Sequence, residues 1–474
     1  MQTECRNVKL EFQVPGARPI VAEFNGGTIT SEAGVLLLKE VEARRQIIKQ
    51  FAACFTDHRD QEKIEHSVED LLAQRIYGLA LGYEDLNDHD LLRNDPLLAA
   101  VVGKSDPVGA ERRRAANRGS ALAGKSTLNR LELRSEEAAQ NGRYKKIAVD
   151  EAKVNEFFVN VFLQAHDRAP EALILDLDAT DDPLHGHQEG RFFHGYYRHY
   201  CYLPLYIFCG DFFLCARLRK ADQGQSAGAL EEIKRIVKRV RERWPAVRII
   251  LRGDAGFSSD QIMSWCESPE VRVDYVFGQA KNDRLRRLLG AEMEEARQQF
   301  EATGQAARVF GEKRYQTLES WSCERRVVGK AEHLEKGANP RFVVTNLSPE
   351  EYEARALYEE LYCARGEMEN RIKEQQLELF ADRTSTRFLK SNQLRLWFSS
   401  VAYVLMNELR RLGLASTPMA QAQCSTIRLR LLKIGAQVQV SARRVWVRLA
   451  SSYPFQALFL EIYQRLRGLD PLRG

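Results

Sequence analysis

Asp176, Asp178, Asp181 and Asp182 crowd the stretch Leu173 to Gly190, LILDLDATDDPLHGHQEG, and two further acidic points, Asp254 and Glu369, lie downstream. Carboxylates held a few ångströms apart raise one another's pKa unless a cation neutralises them. A divalent ion such as Mg²⁺ suits that task, because it takes a few carboxylates and keeps positions open for water and phosphate oxygens. The chemistry such a set supports is phosphoryl transfer, with in-line attack on phosphorus and a stabilised leaving oxygen.

These acids need strands and a helix to hold them. Residues 173–178 read as an apolar strand whose alternation puts Ile174, Asp176 and Asp178 on one face, with Asp178 at its C-terminal end. HYCYLPLYIF and DFFLCARLRK, joined at Gly210-Asp211, read as a β-hairpin. Leu230, Ile233, Ile236, Val237, Val240 and Trp244 mark an amphipathic helix, and VRIIL is a buried-type strand running into Arg252-Gly253-Asp254. A short helix and the strand YVFGQA follow. This order is that of the RNase H fold without its final helix, which is expected at 350–380. On it, Tyr362, Arg365, Glu369, Lys373 and Gln376 recur at three- and four-residue steps and share one stripe.

The expected fold is therefore α/β and multidomain: a mostly helical N-terminal region (1–168), a discontinuous RNase H-like core with a mixed five-stranded sheet (169–281 and 345–414), a β-rich insertion (282–344) and a basic C-terminal region (415–474). At 474 residues, several domains are the natural prior. The net charge of +5 is unevenly spread. From Lys104 to Lys146 there are eleven Lys or Arg against five Asp or Glu, and from Cys424 to Gly474 nine against two. Segregated basic segments suit a polyanionic partner, since clustered cations displace counterions condensed on nucleic acid. Nine scattered cysteines without a CxxC pair argue against a disulfide framework or cysteine zinc site. The start lacks an apolar signal region and no run is apolar enough to span a bilayer, so a cytoplasmic protein with no membrane partner is expected.

LDLDATDDPLHGHQEG, FFHGYYRHYCYLPLYIF, RIILRGDAGFSS, YCARGEMENRIKE and HSVEDLLAQRIYGLALGYEDLNDHDLLRNDP together make the sequence resemble the bacterial insertion-sequence DDE transposases. The resemblance is to the cut-and-paste branch with a β-rich insertion and a Tyr-Arg-Glu-Lys signature, transposase DDE domain group one. It implies that Asp178, Asp254 and Glu369 are the catalytic and metal-binding acids, with Mg²⁺ as cofactor and Mn²⁺ as substitute. Tyr362, Arg365 and Lys373 would contact phosphates, with Lys373 or Gln376 in the family's Lys position. The implied activity is binding of terminal inverted repeats, cleavage of the ends and joining of the 3′ ends to target DNA. Double-stranded DNA and a homodimer or larger synaptic complex on it are the implied partners, in a bacterial, nucleoid-associated setting. A metal-dependent nuclease or resolvase on the same fold, or a catalytically decayed DNA-binding protein, are the rival readings.

Other residues have competing readings. Asp176 shares a strand face with Asp178 and is a supporting or direct ligand, whereas Asp181 and Asp182 before Pro183 suit a turn. His185, His187, His194 and His199 invite a zinc reading, but HxH spacing alone is weak and no third ligand is evident. His185 and Gln188 match recurring family positions and are assigned to DNA. Ser126 or Thr127 is expected to cap a short basic helix carrying Arg130 and Arg134, near Arg112 to Arg114. Trp321 is either a base-stacking residue or core, and Lys281 and Asn282 touch DNA backbone or cap a loop. Arg428, Arg430, Lys433, Arg443, Arg444 and Arg448 are expected on a basic C-terminal hairpin, which either tracks phosphates or is a surface sheet covering the catalytic core.

Overall fold

The computed structural model describes residues 9–13, 18–131 and 136–468. The chain divides into two units, one made of Met1–Ala148 with Leu405–Gly474, the other of Val149–Val404.

The first unit is mainly helical, around Val35–Arg45, Ile47–Ala52, Val68–Leu81 and Pro96–Val102. Ser67 and Asp70 form a reciprocal capping box that starts Val68–Leu81, and Asp95 caps Pro96–Val102 through the amides of Leu97 and Leu98. The ends of the sequence meet in this unit: strand Ala436–Val440 pairs antiparallel with Val445–Leu449 on one side and Ile29–Thr30 on the other. The hairpin expected at the C-terminus is thus present, but it begins late. Residues 424–432 are helical, so Arg428 and Arg430 are not on a strand. Arg428 donates to the Ala80 carbonyl at 2.8 Å, and Lys433 pairs with Glu32 at 2.8 Å. Both are committed to folding contacts, leaving Arg443, Arg444 and Arg448 exposed on the hairpin.

The second unit opens with helix α1 (Glu151–Gln164), capped by Asp150. Strand β1 (Ala172–Ala179) follows, then β2 (Asp182–Pro183), β3 (Phe192–His194) and β4 (His199–Tyr202), which form a small sheet with β4 central. Strands β5 (Leu205–Cys209) and β6 (Phe212–Arg217) make the expected hairpin, turning at Gly210 with φ of 57°. Helix α2 (Ala229–Arg243) leads to β7 (Arg248–Gly253), α3 (Asp260–Glu267) and β8 (Asp274–Gln279). Then come α4 (Gly290–Thr303), β9 (Ala307–Tyr315), β10 (Arg325–Leu334) and β11 (Arg341–Thr345).

The main sheet has nine strands, in the order β6-β5-β1-β7-β8-β11-β10-β9 with the short Gly337–Ala338 strand on β10. β1 is antiparallel to β5 and parallel to β7, and β7 is parallel to β8. A five-stranded sheet was the expectation. The larger sheet arises because β11 adds antiparallel to the β8 edge, so residues from the expected insertion extend the sheet rather than standing apart. Burying that edge removes a row of unpaired backbone groups. Leu175, Leu177, Ile207, Ile249, Leu251, Tyr275 and Phe277 are all at most 1% exposed and share one core with the apolar side of α2.

The helical segment expected at 350–380 is broken in phase. It runs Ala354–Ala356, a wide π turn at Leu357–Tyr362, a tight turn at Cys363–Arg365, helix α5 (Gly366–Lys373) and a second π turn at Glu374–Glu378. Such irregular turns re-aim side chains that a uniform helix would place elsewhere. Helix α6 (Leu389–Leu409) follows. Among the described residues, no helix is long and apolar enough to cross a membrane.

Candidate active site

Parallel pairing sets Gly253 of β7 opposite Leu177 of β1, so one residue further Asp254 comes level with Asp178. β7 and β8 pair with Gly253 opposite Phe277, which puts Gly278 beside Asp254. A Cβ on Gly278 would lie 2.6 Å from the Tyr362 hydroxyl and 2.9 Å from the Ala255 amide nitrogen. The absent side chain thus lets Tyr362 close over β8 next to Asp254.

Each aspartate is aimed by a local backbone hydrogen bond. Asp178 Oδ1 accepts from the Ala179 amide at 2.9 Å, and Asp254 Oδ1 from the Gly256 amide at 2.8 Å. Burial pushes the Asp178 carboxyl up to about 6; Arg365 opposes this, while the charges of Asp254 and Glu369 add to it. Burial likewise raises the Tyr362 hydroxyl. Arg365 spans the acids, with Nη1 3.6 Å from Asp178 Oδ1 and Nη2 3.2 Å from Glu369 Oε1. With the guanidinium between them, the three carboxylates do not draw within 4.8 Å of one another. They nevertheless form an under-compensated acidic group, three carboxylates against one arginine, and oxygen donors of this kind fit a hard divalent cation.

Asp176 is a different case, and the ligand reading is corrected. It is 3% exposed and gripped by Arg252, whose Nε and Nη2 donate to its two oxygens at 2.5 and 2.8 Å. The same guanidinium donates to the Leu361 carbonyl at 2.6 Å, so the pair ties β1 and β7 to the π turn. Asp176 serves as an internal anchor.

The remaining expectations separate by position. Lys373 is exposed and, among the described residues, has no ion pair or hydrogen bond, whereas Gln376 donates to the Asp181 carbonyl at 3.2 Å and is held against the β1 end. Gln188 folds back, accepting from the Gly186 amide and donating to the Thr384 carbonyl at 3.3 Å. His185 and His187 are exposed, His194 packs on Tyr197, and His199 Nε2 lies 2.8 Å from Asp181 Oδ2. These four do not gather around one point. Trp321 is 6% exposed, packs edge-on to Tyr315 and belongs to the main core, so it is not placed to stack on a base. Asn282 caps the helix Asp283–Leu288, which satisfies the loop-cap reading.

In the first unit, Arg130 is exposed, whereas Arg134 lies outside the described residues. The short helix starts at Lys125 with Gly124 at its N-cap, so Ser126 and Thr127 are inside it and cap nothing. Arg112 is absorbed by Glu65 and by the carbonyls of Ser120, Ala121 and Leu122, a folding role.

Sequence reasoning missed a cavity of about 330 Å³ beside Asp254, between β8, the start of β11 and the π turn. Lys281 and Arg341 supply its charge, Tyr358 and Tyr362 its aromatic wall, and Gln279 an amide whose Oε1 has no hydrogen-bond partner. The glycine inside the otherwise apolar strand YVFGQA was the available signal, because a glycine there marks close approach.

Adjacent strand ends thus bear aspartates, with Arg365 and the helix-borne Glu369 beside them. The family model for transposase DDE domain group 1 matches residues 12–471, and the chain belongs to that family of DNA transposases. No curated protein matches it. Among solved structures, it is similar over 85% of its length, and 80% of the other chain, to a piggyBac transposase synaptic complex with hairpin DNA, at 11% identity and a TM-score of 0.42.

Proposed function

We propose that the chain is a transposase that cleaves the ends of its element and joins the 3′ ends to target DNA, using Asp178, Asp254 and Glu369 as the catalytic acids. The observation that supports this reading best is the register that brings Asp254 level with Asp178, beside Arg365, which bridges Asp178 and Glu369 from the turn before α5. In this reading β6-β5-β1-β7-β8 is an RNase H-like core, with strand directions that fit that fold.

Asp178, Asp254 and Glu369 would hold Mg²⁺, or Mn²⁺ in its place. The bound ions would supply activation of the attacking oxygen and stabilisation of the leaving one. Arg365 would exchange its carboxylate partners for phosphate oxygens, to which a guanidinium binds bidentately. Tyr362, Lys281 and Arg341 would seat the strand beside the cut, and His185 and Gln188 would border it. The exposed arginines Arg130, Arg443, Arg444 and Arg448 would contact phosphates of the terminal repeats, and two copies would meet on DNA. The N-terminal residues 1–168 and the C-terminal residues 415–474 are assigned to end binding on this basis.

The test is an assay of the full chain with cognate ends, target DNA and Mg²⁺. Joined product is the expected result. Cleavage without joining would replace the reading by a nuclease, and a gel shift with neither would leave a DNA-binding protein.

A further inference from the structure

The hairpin of β3 and β4 is rooted at the end of the sheet that carries Asp178. The chain leaves β1 through β2 and returns through β4 to β5, where Leu205 pairs with Ala179. The root is fixed. Asp182 and Pro183 pair with Tyr202 and Cys201, the Tyr202 hydroxyl donates to the Glu189 carbonyl at 2.6 Å, and His199 holds Asp181. Cys201 and Tyr202 are fully buried, but the outer part of the hairpin is not. Phe192, Phe193, Tyr196 and Tyr200 are 47%, 49%, 84% and 43% exposed. Large exposed apolar surface gathered on one short element marks an interaction site.

The register orders these rings. Phe193 lies opposite Tyr200, with ring centroids 5.5 Å apart and planes at 77°. Arg191, two residues before Phe193, sets its guanidinium 4.5 Å from the Tyr200 centroid, and its Nη1 donates to the Gly186 carbonyl at 2.7 Å. Tyr200 is thus held between a cation and a second ring. At the tip, the Arg198 amide donates to the His194 carbonyl at 2.8 Å and closes the turn, with Tyr196 packed on Tyr197 and the Arg198 side chain exposed.

Charge decides what the patch fits. Arg191 and Arg198 rim it, so an identical face on a second copy would set like charges together, whereas a polyanion is attracted. Aromatic rings beside arginines match bases beside phosphates. In a duplex the base faces are covered by their neighbours, so only bases out of the stack can use these rings.

We propose that the hairpin 192–202 is a stacking platform for unpaired nucleotides at a DNA end. Bases lie on Phe193, Tyr200 and Tyr196, Arg198 takes an adjoining phosphate, and Arg191 keeps Tyr200 in place. The inference rests on the transposase reading and gives a strand opened beside Asp178 a surface that keeps it from pairing again.

The test measures binding by the full-length chain in chelator, so that no strand is cut. The probes are a blunt duplex, the same duplex with a short single-stranded overhang, and that overhang built of abasic sugars, which keep the phosphates and lose the bases. The overhang with bases should bind tightest. Phe193→Ala and Tyr200→Ala should each weaken its binding by about tenfold, Tyr200→Phe should retain it, and none should change affinity for the blunt duplex. Should either alanine variant lose its circular dichroism spectrum, Tyr196→Ala at the exposed tip provides the same comparison. An overhang preference that abasic sugars reproduce, or that survives these alanine substitutions, would overturn the platform and leave the transposase reading standing. So would an equal loss on the blunt duplex. Self-association lost in the same variants, with overhang binding unchanged, would assign the face to a second copy instead. A chain that binds none of the probes would remove the transposase reading as well.

Discussion

Arg252 and Asp176 form a two-point ion pair in the interior, with hydrogen bonds of 2.5 and 2.8 Å between side chains 8% and 4% exposed. The pair fixes β1 to β7 two residues short of the point where Asp254 comes level with Asp178. Removing one partner of such a pair strands a charge in the core. Arg252→Ala should destabilise the second unit by about 3–5 kcal/mol, measured by urea unfolding. Asp176→Asn should cost less and leave divalent-ion affinity unchanged; a large loss of ion affinity in a folded Asp176→Asn protein would restore Asp176 as a ligand.

Asp178 gives the fold a pH dependence. Its carboxyl, pushed up to about 6 from 3.8, holds a proton in the folded chain that the unfolded chain has already released. Between about pH 4 and pH 6 the folded state therefore binds more protons, and stability falls as pH rises through that window. In chelator, Asp178→Asn should stabilise the protein by about 1–3 kcal/mol above pH 6, and the advantage should vanish near pH 4. Melting curves at several pH values check this, and a pH-independent difference would contradict it.

Lys281 and Arg341 flank the cavity beside Asp254. If both meet phosphate, Lys281→Ala and Arg341→Ala should each weaken DNA binding whatever the sequence, and each should reduce the slope of log affinity against log salt by about 1. Unchanged slopes would remove the cavity from the DNA path.

Trp321 belongs to the core, so Trp321→Ala should cost about 3–5 kcal/mol of stability while leaving affinity for DNA ends unchanged at temperatures where the variant is folded. Weakened end binding at full stability would reverse that assignment.

The strands around the site were legible because each is a short apolar run closed by glycine, proline or acids, and the hairpin at Gly210 carried its own turn signal. What periodicity does not encode is which distant strand pairs with which. The antiparallel joining of β11 to β8 was therefore hidden, and with it the extension of a five-stranded sheet to nine. Alternation gives Asp176 and Asp178 one face, and only the strand end and the family resemblance favoured Asp178; in the structure the position of Arg252, two residues before Asp254, sets Asp176 apart. The π turns at 357–362 and 374–378 likewise change phase without any proline or glycine to announce it, which is how Gln376 comes to face Asp181 while Lys373 faces solvent.

The most direct measurement is cleavage and strand transfer by Asp178→Asn, Asp254→Asn and Glu369→Gln proteins, on cognate ends with Mg²⁺, alongside binding of the same ends. Each near-isosteric change should abolish both reactions, by at least about 10³-fold, while circular dichroism and end binding stay at the level of the unsubstituted chain. Cleavage at the full rate by any one of the three folded proteins would contradict the assignment of Asp178, Asp254 and Glu369 as the catalytic acids.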